Sequence, residues 1–321
     1  MTLVEESEDL FLAGAQIALR TATGDDALLS LGWTDLLGAI EKDRDARLGV
    51  FGFFRAQGRE LGSSMALGSL MALPYRDVLG GDLTLATVER ISTRHGSRAV
   101  LVGAPSNGQA IVDRPGHGVA LVNIETIDLR PIGLSDGLAL HQIDSELGSL
   151  PIALNESEAV GLRGQSVQLG RMALAQEMLG AAETALAAAI DHACDRHQFG
   201  HPIGHFQAIR HLLAAARVDC AAIEALTTQS IDLYPALPAL HDAILKAVAG
   251  RNGRRVCERS LQVLGAMGFT QEHDHHRLHS RVLVLDTLLG TSSSLAHQLA
   301  VTLRSSEGSL PDLRVPIRTD Q

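Results

Sequence analysis

One segment of the chain combines residue types suited to gripping a phosphorylated, ring-bearing ligand. It runs Asp195-Arg196-His197-Gln198-Phe199-Gly200-His201-Pro202-Ile203 and ends in His205-Phe206-Gln207. The guanidinium of Arg196 is a planar fork of donors that suits a pyrophosphate. Phe199 offers an aromatic face, and Gly200 lets a helix stop. By spacing alone the segment is a turn between two helices, with an anion-and-ring site as its functional alternative. A second cluster is His273, His275, His276 and His279, in which His275 and His279 stand at i,i+4. That spacing can set two metal ligands on one helix face. No glutamate sits between them and no distant third ligand is indicated, so a polar helix entrance without metal is expected. Ser292, Ser293 and Ser294 follow Gly290-Thr291 without the spacing of a nucleophile elbow, and read as helix capping. Gly265-Ala266-Met267-Gly268 is not a dinucleotide fingerprint, and no phosphate-binding GxxxxGK[ST] occurs.

Three zones must position these residues. Residues 1–80 are expected to be helical: Leu10, Ala13, Ile17 and Ala18 repeat at helical spacing. A further helix is expected over 46–73, ended by Pro74. Residues 81–155 change character. Short β-rich pieces at 82–88, 98–103, 109–113 and 118–129 are separated by Gly80-Gly81, Pro105, Pro115-Gly116 and Pro131. Residues 156–305 return to long apolar stripes, one of them through Met172, Ala175, Leu179, Ala182, Leu186, Ile190 and Ala193. Helices are expected near 170–194, 206–233 and 236–265, with a last pair within 276–304. Residues 306–321 are polar and proline-punctuated, and a flexible tail is expected there. The fold class expected is α+β, mostly α: an N-terminal helical domain (1–80), a small middle β-domain (81–155) and a C-terminal four-helix bundle (156–305).

Composition sets outer limits. The 321 residues carry a net charge of −10, with 45% hydrophobic and 20% charged residues. This excludes a mostly disordered chain and argues against a general nucleic-acid binder, which needs a basic face. Of 27 basic residues only Lys42 and Lys246 are lysine, a skew that fits a GC-rich bacterial genome. Cys194, Cys220 and Cys257 form no CxxC pair and read as reduced thiols. The acidic N-terminus is unlike a signal peptide. No apolar run reaches the roughly 18–20 residues of a membrane helix. A cytoplasmic protein without membrane or nucleic-acid partners is expected.

The segment Arg196–Gln207 resembles the R-x-x-F-G-x-x-I-x-x-F-Q signature of the acyl-CoA dehydrogenase family. Gln262-Val263-Leu264-Gly265-Ala266-Met267-Gly268-Phe269 resembles its Q-x-x-G-G-x-G-[FY], and Arg277 through Leu289-Gly290-Thr291 resembles its arginine-bearing helix and E-G-T. The resemblance covers about 160–304 and is looser in the N-terminal zone, at Leu31-Gly32-Trp33 and Arg59–Gly62. It implies an FAD-dependent desaturation of an acyl-CoA thioester, in which a carboxylate removes the α proton, hydride leaves for the flavin, and an electron-transfer flavoprotein collects the electrons. It also implies a bundle that reaches across a subunit interface to FAD. Arg196 would face the pyrophosphate, Phe199 and Gln207 would line the cofactor, and Gln262, Val263 and Gly265 would hold its adenosine end. Gln198 and Thr291 complete the implied set.

The departures from the family pattern are as informative. Leu289 stands where the family places its usual glutamate base, and Gly170 stands at the alternative base position before Arg171. The TEP-x-x-GSD and W-[IV]-[ST] stretches that cradle flavin are not found, and the single tryptophan, Trp33, lies in the N-terminal zone. The pattern resembles the shorter subunit of heteromeric (α2β2) actinobacterial acyl-CoA dehydrogenases of steroid side-chain degradation, with FAD shared across the interface to a base-bearing partner. Three alternatives stand beside it. One is a self-sufficient homo-oligomeric enzyme whose base has moved, for instance to Asp286, which otherwise reads as a solvated helix carboxylate. The others are a non-enzymatic scaffold and an oxygen-using flavoprotein relative.

Overall fold

A computed structural model describes residues 3–22, 24–80, 83–86, 99–102, 108–144 and 150–305 of the chain. The expected tail at 306–321 lies outside the described residues. The N-terminal helices are α1 (Leu3–Thr21), α2 (Gly24–Ser30), α3 (Trp33–Ala39), α4 (Arg44–Glu60) and α5 (Ala66–Leu79). Asp43 caps α4 by accepting from the Asp45 amide. Phe51, Phe53 and Phe54 on α4 are fully buried. Trp33 meets Phe53 and Phe54 at ring separations of 5.4 and 6.0 Å and donates its indole N–H to Ser69 Oγ.

The single helix expected over 46–73 is two helices. The chain turns at Leu61, which takes a left-handed φ of 52°, and resumes at Ala66. Pro74 does not end the second helix but lies inside α5. Burial of Leu67, Leu70, Met71 and Tyr75 outweighs the one backbone bond that proline removes. In the preceding turn, the Met71 carbonyl accepts from Ser166 Oγ at 2.7 Å.

The middle zone holds more strands than the four β-rich pieces suggest. β1 (Leu83–Ala86), β3 (Gln109–Arg114), β4 (Gly118–Asn123) and β7 (Ile152–Leu154) form one sheet in the order β1-β3-β4-β7, parallel only between β1 and β3. β2 (Ala99–Val102), β6 (Leu140–Ile143) and β5 (Leu129–Ile132) form an antiparallel sheet in the order β2-β6-β5. The piece expected over 118–129 breaks at Asn123, whose side chain caps a turn of 3-10 helix.

The bundle comprises α6 (Glu156–Asp195), α7 (Gln207–Leu233), α8 (His241–Leu264), α9 (His275–Thr287) and α10 (Ser292–Ser305). The 40 residues of α6 span about 60 Å. They begin at a capping box in which Asn155 and Glu158 satisfy each other's backbone amides. Its stripe is buried as the spacing requires, except Ile190, which is 42% exposed. α4 crosses α6 at Gly58 and Gly180, where a Cβ on either would strike the other helix's backbone. One continuous core joins the N-terminal helices to the bundle.

Arg281 of α9 is fully buried and ties these parts together. It bonds Asp136 at 2.8 Å, Glu177 at 2.6 Å and the Gly62 carbonyl at 2.8 Å, joining the loop before β6, α6 and the end of α4. Both carboxylates are buried with it.

The histidine cluster opens α9, as its composition suggests, with the His275 amide donating to His273 Nδ1 at 3.0 Å, but one of its members is not on the surface. His275 is 1% exposed and neither ring nitrogen has a hydrogen-bond partner. Its ring lies 6.2 Å from that of His279. Among the described residues no three His, Cys, Asp or Glu side chains are placed to hold a metal ion. Burial, aided by His279 and His273, pushes His275 down to about 4. The folded state therefore keeps a neutral imidazole that the unfolded chain protonates below about 6.5. Stability is full above that pH and falls as pH drops from 6.5 towards 4, by up to about 3 kcal/mol. Urea titrations at pH 7 and pH 4.5 should show this loss, and His275→Leu should flatten it.

Candidate functional site

The signature segment forms a two-residue β-hairpin at one end of the bundle. β8 (His197–Gln198) pairs with β9 (His201–Pro202), and Phe199 and Gly200 occupy the turn with φ of 53° and 83°. Two positive φ values suit the twist of a tight hairpin. Glycine takes such a value freely, but phenylalanine does so at a cost. The turn holds Phe199 89% exposed, edge-on to Phe206 at 6.1 Å. Arg196 caps α6, with its backbone N–H on the His192 carbonyl.

The second signature meets the first there. Val263 and Leu264 at the end of α8 pack with Ala189 and Ala193 of α6 and with Ile203 beside the hairpin. Gly265 closes α8 at φ 61°, ψ −141°, a conformation open essentially to glycine alone. The next turn presents Phe269, 75% exposed, and Met267, 42% exposed. Arg196, Gln207 and Gln262 are exposed and make no side-chain hydrogen bond among the described residues, while Gln198 donates only to the neighbouring His197 carbonyl. This end of the bundle thus offers uncommitted donors beside bare aromatic surface. Such a set fits the pyrophosphate and adenosine half of a dinucleotide.

Thr291 is not part of that group. Its neighbour Ser292 approaches Gly250 on α8, 12 residues before Gln262, which is about 18 Å along the helix. The Thr291 hydroxyl is committed to α10, accepting from the Ser294 amide and donating to Ser294 Oγ, both at 3.0 Å.

Gly170 and Leu289, 119 residues apart in sequence, lie against each other. A Cβ on Gly170 would collide with Leu289 Cδ1 and lie 2.7 Å from Met71 Sδ. Leu289 takes a left-handed φ of 56°. Arg171 donates to its carbonyl at 3.0 Å and pairs with Asp242 at 2.8 Å. Lys246, fully buried, donates to the Asp286 and Gly290 carbonyls at 3.1 and 3.3 Å. The loop that presents Leu289 is thus held from both sides. No sequence motif marks these two clamps. A signal for one existed: Lys246 is one of two lysines in an arginine-dominated chain.

Asp286 is not a solvated carboxylate. One oxygen accepts from the Ser292 amide at 2.9 Å, the other from Ser292 Oγ at 3.1 Å, and Lys246 Nζ stands 3.8 Å away. Both oxygens point towards the start of α10 and Gly250 rather than to Gly170. A crevice of about 640 Å³ lies elsewhere, between the β2-β6-β5 sheet and α9, walled by Ile132, Leu134, Leu140 and Leu283.

Comparisons with known proteins follow this division. Residues 163–303, covering the bundle, match the family described as acyl-CoA dehydrogenase, C-terminal domain. The bundle is thus an acyl-CoA dehydrogenase C-terminal domain. It is similar to the acyl-CoA dehydrogenase FadE34 of Mycobacterium tuberculosis, 26% identical over 249 residues, which are 71% of this chain and 34% of that protein. The first curated relatives are matched over only 34–42% of their own length. Among solved structures, the Tcur3481–Tcur3483 steroid acyl-CoA dehydrogenase superposes with a TM-score of 0.74 at 20% identity, over 96% of this chain and 100% of that one. A chain of the ChsE4–ChsE5 complex from Mycobacterium tuberculosis gives 0.73 at 17% identity, over 94% and 98%. The fold is therefore the acyl-CoA dehydrogenase fold throughout. No described helix of the chain is long and apolar enough to cross a membrane.

Proposed function

We propose that the chain is the subunit of a heteromeric, FAD-dependent acyl-CoA dehydrogenase that brings no base of its own and completes the cofactor site of a partner subunit. The contact between Gly170 and Leu289 carries this reading. The two positions at which the family resemblance puts a base face each other, and a leucine methyl fills the space between them. A hydrocarbon cannot accept a proton, and the clamps from Arg171 and Lys246 leave the loop little freedom to bring another group there. Asp286, the relocated base of the alternative reading, spends both oxygens on α10.

Within the complex, FAD would supply the electron sink for hydride. This chain's part is binding. The Arg196 fork would neutralise the pyrophosphate, Phe199 and Gln207 would line the dinucleotide, and Gln262, Val263 and Gly265 would receive its adenosine end. The partner would supply the carboxylate base and hold the acyl-CoA, with an electron-transfer flavoprotein drawing off electrons. Likeness to chains from two-component assemblies, one named for a steroid substrate, supports a bulky acyl group. Unpaired Cys194, Cys220 and Cys257 suit the cytoplasm.

Arg196→Ala tests the binding role. In the purified complex it should weaken FAD retention by about 1.5–3 kcal/mol, roughly 10- to 150-fold, as read by flavin released on dilution. Unchanged retention would show that Arg196 holds no part of the cofactor.

A further inference from the structure

α10 is attached to the rest of the chain along one side. It packs chiefly on α8, and Leu295 is its buried residue. Between the two helices runs an open groove of about 470 Å³, whose apolar floor includes Ile244, Val248, Ala296 and Leu299. Arg251 and Arg254 stand along it, with Ser292 and Ser293 at the N-terminus of α10, the positive end of that helix. None of the described residues lining it is a carboxylate. Among the described residues Arg251 bonds only the neutral amide of Asn252, and Arg254 meets Glu258 at 3.5 Å, with both side chains of that pair more than half exposed. Lys246 is buried beneath, with Asp286 beside it already engaged by Ser292. The groove is therefore apolar at its floor and positive at its rim, in a chain whose net charge is −10.

That pattern selects its occupant. A second copy docking by twofold symmetry would present the same surface to itself, setting Arg251 and Arg254 in one patch with their own copies. Like charges so placed cost several kcal/mol. We infer that the α8–α10 groove receives a different chain, through an amphipathic helix whose apolar ridge enters the groove and whose Asp or Glu side chains face Arg251 and Arg254. The same arginines that attract such a helix oppose self-pairing, so the groove favours a mixed assembly over a homomeric one. This rests on the proposed heteromeric reading and adds which face the partner uses and which charge it brings.

The test compares the full chain with R251E/R254E, each mixed with a base-bearing acyl-CoA dehydrogenase homologue from the same genome, and followed by sedimentation at low and high salt. The wild-type complex should weaken as salt rises. The double variant should bind on the order of 100-fold more weakly, with circular dichroism unchanged and the melting temperature lowered only by the small amount that reversing the exposed Arg254–Glu258 pair entails. An Asp→Arg or Glu→Arg change on the partner helix should restore binding. A double variant that binds as the wild type does overturns the groove assignment and leaves the heteromeric reading standing. A melting temperature lowered well beyond that, with R254Q as the control for the lost pair, would mean that the chain's own residues fill the groove, which also overturns it. A wild-type chain that pairs with itself through this face, or forms no mixed complex, overturns both.

Discussion

Arg281→Met is expected to destabilise the chain by about 3–5 kcal/mol, a large share of the roughly 5–15 kcal/mol that holds an ordinary domain folded. The expectation comes from what the substitution leaves behind. Asp136 is fully buried and Glu177 nearly so, and each would lose its countercharge in a place where water cannot replace it. The Gly62 carbonyl would lose its donor as well. Arg281→Lys should rescue little, because a single ammonium cannot span two carboxylates and a carbonyl that the guanidinium reaches from two nitrogens, Nε to Asp136 and Nη1 to Glu177 and the Gly62 carbonyl. Denaturant unfolding reads the difference directly. A cost below about 1 kcal/mol would mean that the ion cluster is not the fastening of α9 to α6 and the middle zone.

Gly58→Ala and Gly180→Ala form the second large effect. The two glycines face each other's helices at the α4–α6 crossing. A Cβ on Gly180 would strike the Arg55 carbonyl and lie 2.9 Å from the carbonyl carbon, and one on Gly58 would strike the Glu177 carbonyl and lie 3.0 Å from the Ala181 amide nitrogen. These are backbone atoms, so the helices must separate, at or beyond the upper end of the usual 1–3 kcal/mol for overpacking. The double variant should cost less than the sum, since one separation accommodates both methyls. Gly164→Ala provides the control. It lies on the same helix with nothing within 4 Å of its Cβ, and should stabilise by about 0.5–1 kcal/mol. Thermal melts of the three single variants distinguish the crossing from simple helix propensity.

The parts of the molecule that were legible in the sequence are those set by local pattern. The stripe from Met172 to Ala193 is a helical repeat, and it lies in α6. The Arg196–Gln207 and Gln262–Phe269 segments are consecutive motifs, and the fold brings most of their implied ligand residues to one bundle end. What was not legible depends on distant partners. Pro74 reads as a helix end, because the burial that keeps α5 intact comes from other helices. His275 reads as surface, because its burial against α8 is invisible in a run of polar neighbours. Leu129–Ile132 carries Arg130 and Pro131 and reads as a connector, yet it pairs along β6 as an edge strand. The meeting of Gly170 with Leu289 and the spending of Asp286 on α10 are long-range contacts that no spacing encodes.

The most direct test of the heteromeric reading is the flavin content and acyl-CoA dehydrogenase activity of two preparations. One is this chain purified alone. The other is the same chain purified with a base-bearing acyl-CoA dehydrogenase homologue from the same genome. The predicted result is a colourless, inactive chain alone, and a complex that retains FAD and reduces it on adding the acyl-CoA. A yellow, active preparation of the chain alone would contradict the proposal.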